Sequence, residues 1–206
     1  MKTTLALLLT GSLLAGHAFA AGNADAGKTK AAPCGACHGA DGNSPAPTFP
    51  KLAGQHESYL LKQMKDIKSG PAGKGGRSVP TMAGQLDALS EQDMQDIAAY
   101  FASQQRSPSA AKKELVDLGE TVYRAGLRDR GIAACSACHS PTGNGNAPAR
   151  FPSLSGQHPD YIAAALRQFR SEERSNDGDT RIMRDVAAHL TDKELDAVAS
   201  FAAGLH

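Results

Sequence analysis

The chain has 206 residues, 41% apolar and 21% charged, with 22 basic and 21 acidic side chains and a formal net charge of +1. That balance shows no basic footprint for nucleic acid, and the composition is that of a folded chain long enough for one or two domains. Tryptophan is absent and aromatics make up only 5%, so the cores would be thin unless something other than side chains fills them.

Residues 1–20 read as a signal peptide. Lys2 gives a positive start, Leu5 to Ala15 is an apolar run interrupted by Thr10, Gly11 and Ser12, and Ala18-Phe19-Ala20 has the small-x-small form that a signal peptidase cuts. The run is too short and too polar for a transmembrane anchor, and no other stretch approaches 18 apolar residues. The mature chain is expected to begin at Ala21 and to be exported.

The remaining elements come in two similar sets. The first set opens with a helix-compatible stretch at 24–32, followed by Cys34-Gly35-Ala36-Cys37-His38 and a loop over 39–48. Phe49-Pro50-Lys51-Leu52-Ala53-Gly54-Gln55-His56 leads into a helix at 59–68, with Leu60, Met64 and Ile67 on one face. A Gly-, Pro- and Lys-rich loop at 70–79 precedes Met82. Ser90-x-x-Asp93 is a capping box that opens a helix carrying Met94, Ile97 and Phe101. Residues 103–111 form the linker, with a boundary near Ser107.

The second set repeats the first at an offset of 101 or 102 residues (135 − 34, 151 − 49). A helical stretch at about 114–125 and a longer loop lead to Cys135-Ser136-Ala137-Cys138-His139. Phe151-Pro152-Ser153-Leu154-Ser155-Gly156-Gln157-His158 follows a loop at 140–150, and a helix at 161–170 places Ile162, Leu166 and Phe169 together. Met183 stands where Met82 does, in loop-like sequence, and Thr191-x-x-Glu194 opens the last helix. Nothing reads as a strand. The expected fold is all-α, with tandem domains at 21–106 and 107–206 produced by internal duplication. Gly27 and Gly119 would let the first helix of each domain approach the last, against Tyr100 and Phe201.

All four cysteines lie in C-x-x-C-H, the pattern of covalent c-type haem attachment. Two thiols three positions apart reach the two vinyl groups of one porphyrin, and the next residue presents an imidazole to the iron. Disulfides Cys34–Cys37 and Cys135–Cys138 explain the pairs but not the histidines. A thioredoxin-like motif needs strands, and a four-thiolate zinc site would force both repeats onto one metal. Two haems, held by Cys34, Cys37, Cys135 and Cys138, also supply the missing core volume.

His38 and His139 are the expected axial ligands below the rings. For the opposite face the repeat selects Met82 and Met183, each 48 residues after the first cysteine of its own pair (82 − 34, 183 − 135). Met64 and Met94 correspond to Leu166 and Leu195, so they read as core. His56 and His158 also correspond and leave a bis-histidine alternative open, beside capping, surface contact or a hydrogen bond. The carbonyls of Pro50 and Pro152 are expected to accept the Nδ1–H of the ligand histidines. Met/His ligation raises the reduction potential, and two protein ligands per iron argue for electron transfer over catalysis.

These motifs resemble the class I cytochromes c, and most closely the dihaem cytochrome c4 family. The likeness rests on both C-x-x-C-H pairs, both Phe-Pro-x-Leu-x-Gly-Gln runs, Val79-Pro-Thr-Met82-Ala and Arg181-Ile-Met183-Arg, and it covers the whole mature chain. It implies two class I domains related by approximate twofold symmetry, with haem edges approaching each other at their interface. It also implies a periplasmic one-electron carrier, often loosely associated with the inner membrane, between a respiratory donor complex and a terminal oxidase. No nucleic acid and no small-molecule substrate are expected. The second half departs from the first in having Arg181 where the first has Pro80 near its methionine, which leaves the loop geometry at Met183 open while the ligand assignment stands. The competing reading is a dihaem enzyme, a peroxidase or small-molecule reductase, with one displaceable ligand.

Overall fold

The computed structural model describes residues 22–73 and 75–205. The expected signal peptide at 1–20 lies outside them. Among the described residues the fold is helical, and extended pairing is limited to two isolated bridges, Leu127 with Ile132 and Asn146 with Phe151.

The first half consists of α1 (Ala24–Lys30), α2 (Gly35–His38), α3 (Glu57–Ser69) and α4 (Glu91–Ser103). Asn23 caps α1 by accepting from the Ala26 amide. The predicted box closes α4: Ser90 Oγ accepts from the Asp93 amide, and Asp93 accepts from the Ser90 amide. α1 crosses α4 in direct backbone contact, because a Cβ on Gly27 would lie 1.9 Å from the Asp96 carbonyl oxygen and 2.9 Å from Tyr100 Cβ. Buried Asp96 secures the crossing, accepting from the Asn23 amide at 2.9 Å and pairing with Lys30 at 2.6 Å. Leu60, Ile97, Ala98, Tyr100 and Phe101 form the core, with Cys34, Leu52 and Met64 packed on it.

The second half repeats this plan with α5 (Val116–Glu120), α6 (Ser136–His139), α7 (Pro159–Arg170), α8 (Ile182–Ala188) and α9 (Asp192–Ala203). α5 continues as a π turn over Thr121–Ala125. Thr191 and Glu194 close the box on α9. Gly119 brings α5 onto α9, where a Cβ would meet the Ala197 carbonyl oxygen at 2.3 Å and Phe201 Cβ at 2.6 Å. Its core is larger, built on Val122, Tyr123, Ile162, Leu166, Leu195, Val198 and Phe201.

One helix departs from the repeat. Met183 was expected in a loop and instead lies in α8, while Met82 ends a single 3-10 turn, Pro80–Met82. The Pro80-to-Arg181 exchange marks the difference. Arg181 takes the left-handed conformation at φ 52° as the N-cap, and its carbonyl accepts from the Asp185 amide at 2.8 Å to start the helix.

The halves meet through reciprocal bonds that follow an approximate twofold. Gln55 Nε2 donates to the Ser153 carbonyl at 3.0 Å, and the Ser153 amide returns a bond to Gln55 Oε1 at 2.9 Å. Gln157 does the same with Lys51, at 2.9 and 2.8 Å. The connection between halves is held rather than free. Buried Lys51 donates to Ser107, Pro108 and Gly156 carbonyls and to Ser109 Oγ. Arg106 donates to the carbonyls of Ala53, Ser153 and Ser155, and burial pushes its guanidinium down to about 10.

Candidate haem sites

Each C-x-x-C-H segment occupies one helical turn. Cys34 is the N-cap of α2, with Cys37 and His38 in its single turn; Cys135, Cys138 and His139 repeat this on α6. Residues three apart on a helix share a face, so both thiols of a pair and the following imidazole are presented from one short rigid element. The cysteines are free of disulfides. The two pairs belong to different cores, and no group of three or more His, Cys, Asp or Glu positioned for a metal occurs among the described residues. The disulfide and shared-zinc alternatives are therefore without structural support.

Both histidines are fixed identically. His38 Nδ1 bonds the Pro50 carbonyl oxygen at 2.9 Å, and His139 Nδ1 bonds that of Pro152 at 2.9 Å. A carbonyl only accepts, so Nδ1 carries the proton and Nε2 keeps its lone pair for a metal. Burial lowers the pKa of both rings and keeps them neutral, against the opposing effect of the carbonyl bond. Burial also raises both leading thiols, Cys135 to about 11. Phe49 and Phe151 each stand 6.1 Å from the ligand ring, centroid to centroid.

Met94 is buried in the first core and Met64 packs against it, which fits their reading as core residues. His56 and His158 are turned away from their own domains. His56 Nε2 bonds the Asn144 carbonyl oxygen at 2.7 Å, and His158 Nε2 bonds that of Ser44 at 2.9 Å. Each histidine thus holds the loop that follows the other domain's C-x-x-C-H motif. That geometry disfavours the bis-histidine alternative.

Several polar residues escaped the sequence reading. Arg77 and Arg174 are buried, and neither pairs with a carboxylate among the described residues. Arg77 donates to Gln63 Oε1, and Arg174 reaches across to Gln63 Oε1 and Tyr59 Oη at 3.1 and 3.0 Å. Burial alone would raise the Tyr161 phenol, but the two adjacent guanidiniums outweigh it and lower its pKa. Two buried cations without counter-charge are costly, and the carboxylate pair of a haem would relieve that cost. Tyr123 also went unnoticed. Its hydroxyl donates to the Ser140 carbonyl at 2.7 Å, as Tyr100 donates to the Ala40 carbonyl at 2.8 Å in the first domain. The same turn beyond the motif is thus held by tyrosines from different helices, α4 in one half and the turn after α5 in the other.

The model of the family described as Cytochrome c matches twice, over residues 24–105 and 116–205. Cytochrome c4 of Azotobacter vinelandii is 55% identical over 210 residues, spanning 100% of this chain and 99% of the relative. The chain belongs to the cytochrome c4 family. Cytochrome c4 of Pseudomonas aeruginosa is 56% identical over 205 residues, again across 100% of this chain and 99% of the relative. The crystal structure of reduced recombinant cytochrome c4 from Pseudomonas stutzeri superposes with a TM-score of 0.88 at 55% identity, covering 90% of this chain and 100% of that one. As a cytochrome c4 the chain carries two covalently attached haem c groups, one for each C-x-x-C-H motif, and is a dihaem electron-transfer cytochrome. The haems explain the thin cores and the unbridged cysteines together.

Proposed function

We propose that this cytochrome c4 is a periplasmic one-electron carrier that takes electrons from a respiratory donor complex and delivers them to a terminal oxidase, without being an enzyme itself. In this reading Cys34 and Cys37 bind one haem and Cys135 and Cys138 the other. His38 and Met82 would hold the iron of the first, and His139 and Met183 that of the second. The signal peptide ends at Ala20, and the two domains divide near Ser107. Haem supplies a one-electron couple in which iron changes valence without bonds being made to substrate.

The observation that carries the reading is the identical construction of the two histidine sites, each with Nδ1 held at 2.9 Å by a proline carbonyl. An enzyme of the peroxidase type would need one open centre and one closed, whereas a carrier needs both centres closed. The protein's own residues do three things for transfer. The proline carbonyls orient the imidazoles, which limits movement of the ligand when iron changes valence. The reciprocal glutamine bonds hold the two domains in one orientation. Met82 and Met183 would complete the hold on the two haem irons and so keep solvent and substrate from them.

The test is carbon monoxide added to the reduced protein, alongside a potentiometric titration. A carrier leaves the spectrum unchanged on mixing and titrates in two one-electron steps. Prompt binding at one haem would establish the enzyme reading instead. Periplasmic delivery is checked by fractionating cells and by oxidising the reduced protein with membranes whose terminal oxidase is then inhibited.

A further inference from the structure

The two glutamines that cross the domain interface end on the peptide groups that orient the axial histidines. The Pro50 carbonyl and the Lys51 N–H belong to one peptide group. Its N–H donates to Gln157 Oε1 at 2.8 Å, and its oxygen accepts from His38 Nδ1 at 2.9 Å. The peptide group between Pro152 and Ser153 repeats this, donating to Gln55 Oε1 at 2.9 Å and accepting from His139 Nδ1 at 2.9 Å. A single peptide therefore stands between each axial histidine and a glutamine of the opposite domain.

Both glutamine side chains are clamped. Gln157 Oε1 also accepts from the His158 amide at 3.0 Å, and Nε2 donates to the Lys51 carbonyl at 2.9 Å. Gln55 makes the same pair of bonds, with the His56 amide at 2.9 Å and the Ser153 carbonyl at 3.0 Å. His38, His139, Lys51, Ser153, Gln55 and Gln157 are all buried, so water does not compete for these bonds.

A peptide is a resonance hybrid. An acceptor on its N–H draws it toward the form with negative charge on oxygen, which makes the carbonyl a stronger acceptor. Bonds in such a chain polarise one another, and they do so most where the local dielectric is low. A stronger acceptor at Nδ1–H raises the basicity of the imidazole at Nε2. A more strongly donating imidazole favours ferric over ferrous iron.

We propose that Gln157 and Gln55 are positioning residues for electron transfer, each tuning the reduction potential of the opposite domain's haem through one peptide group and one histidine. Gln157 acts on the first domain through Pro50–Lys51 and His38, and Gln55 acts on the second through Pro152–Ser153 and His139. Each glutamine holds the opposite centre at a lower potential than that centre has without it. This rests on His38 and His139 as the axial ligands proposed above. The interface then sets both potentials as well as the orientation of the domains.

Proton NMR of the fully reduced protein tests the foundation first. The ring protons of His38 and His139 must lie far upfield, as those of an imidazole held over a porphyrin face do. If either ring lacks that shift, the axial assignment fails and the inference falls with it. Gln157→Met keeps the volume and removes the acceptor. Redox titration, with NMR at each step to assign each potential to its domain, should then show the first domain's oxidised-to-reduced ratio falling by about two- to threefold at a fixed potential. That is a rise of about 20–30 mV, at about 59 mV per tenfold, with the second domain unmoved. The His38 Nδ1–H signal should move to lower frequency while that of His139 stays. Gln55→Met should give the mirror result, and carries the test if Gln157→Met folds poorly. Gln157→Glu, which keeps an oxygen on the Lys51 amide, should leave the first potential at or below its starting value. A merely structural glutamine loosens a shared interface and shifts both domains or neither. Equal shifts in both domains, a shift confined to the glutamine's own domain, no shift at all, a rise in Gln157→Glu, or an unmoved Nδ1–H signal overturns the proposal.

Discussion

Gln55 and Ser153, 98 positions apart, exchange two hydrogen bonds between the domains, the side-chain amide acting as donor and acceptor to a single backbone unit. Gln157 and Lys51 repeat the arrangement on the other side of the twofold. Four buried backbone groups thus depend on two glutamines that each repeat places at the same position, just before its third helix.

Gln55→Leu combined with Gln157→Leu should destabilise the joined molecule by about 1–3 kcal/mol for each buried pair left unsatisfied. The interface is expected to loosen while each haem keeps its own ligands. Denaturant unfolding followed at the haem bands, with small-angle scattering for the shape, checks this. Unchanged scattering together with an unchanged midpoint would show that the glutamines do not hold the domains.

Met82→Ala and Met183→Ala should each open one haem, lower its reduction potential and remove half of the sulfur-to-iron charge-transfer band. Met94→Ala should leave the band intact and cost about 2–5 kcal/mol in stability, because it empties a core position. His56→Ala and His158→Ala should also leave both axial signatures intact. A lost signature in either histidine variant would revive bis-histidine ligation.

Gly27→Ala and Gly119→Ala test the helix crossings. With backbone carbonyls 1.9 and 2.3 Å from the new methyl positions, the helices must part. Each change should lower stability by about 1–3 kcal/mol or more, read as a drop in Tm of its own domain. A neutral effect at either position would mean that the crossing is looser than described.

Glu194 predicts a pH dependence. Its bond to Arg130, and then the Thr191 cap, hold it at about 2, against 4.5 for a free glutamate. A folded-state pKa below the unfolded one contributes stability above about pH 4.5, and that contribution is lost as pH falls toward 2. Wild type should therefore weaken across this window, and Glu194→Gln should show a shallower dependence there with lower stability at neutral pH. Parallel pH profiles for the two proteins would remove the ion pair from the account.

Much of the architecture was legible because its signals are short. A capping box spans four residues, so Ser90–Asp93 and Thr191–Glu194 announced α4 and α9 before any packing was known. The methionine segment was less legible, since the repeat equates Met82 with Met183 while one lies in a turn and the other in a helix. The carboxylates that fasten the start of α8, Asp177 on Arg184 Nε at 2.8 Å and Glu172 on Arg181 Nη2 at 2.9 Å, have no counterparts in the glycine-rich first copy. Tyr123 was hidden for a related reason: the hydroxyl that holds the turn moved from one helix to another between copies.

By itself the sequence determined the chemistry of attachment, because two thiols and an imidazole within one helical turn are presented together wherever that turn forms. It also determined the duplication and the close helix crossings, which depend on spacing and on the absence of a Cβ. Only the tertiary structure decided what His56, His158, Arg77 and Arg174 do. Their partners lie in the other domain or come together only once loops and helices pack, and local propensity carries no information about how two folded bodies are set against each other.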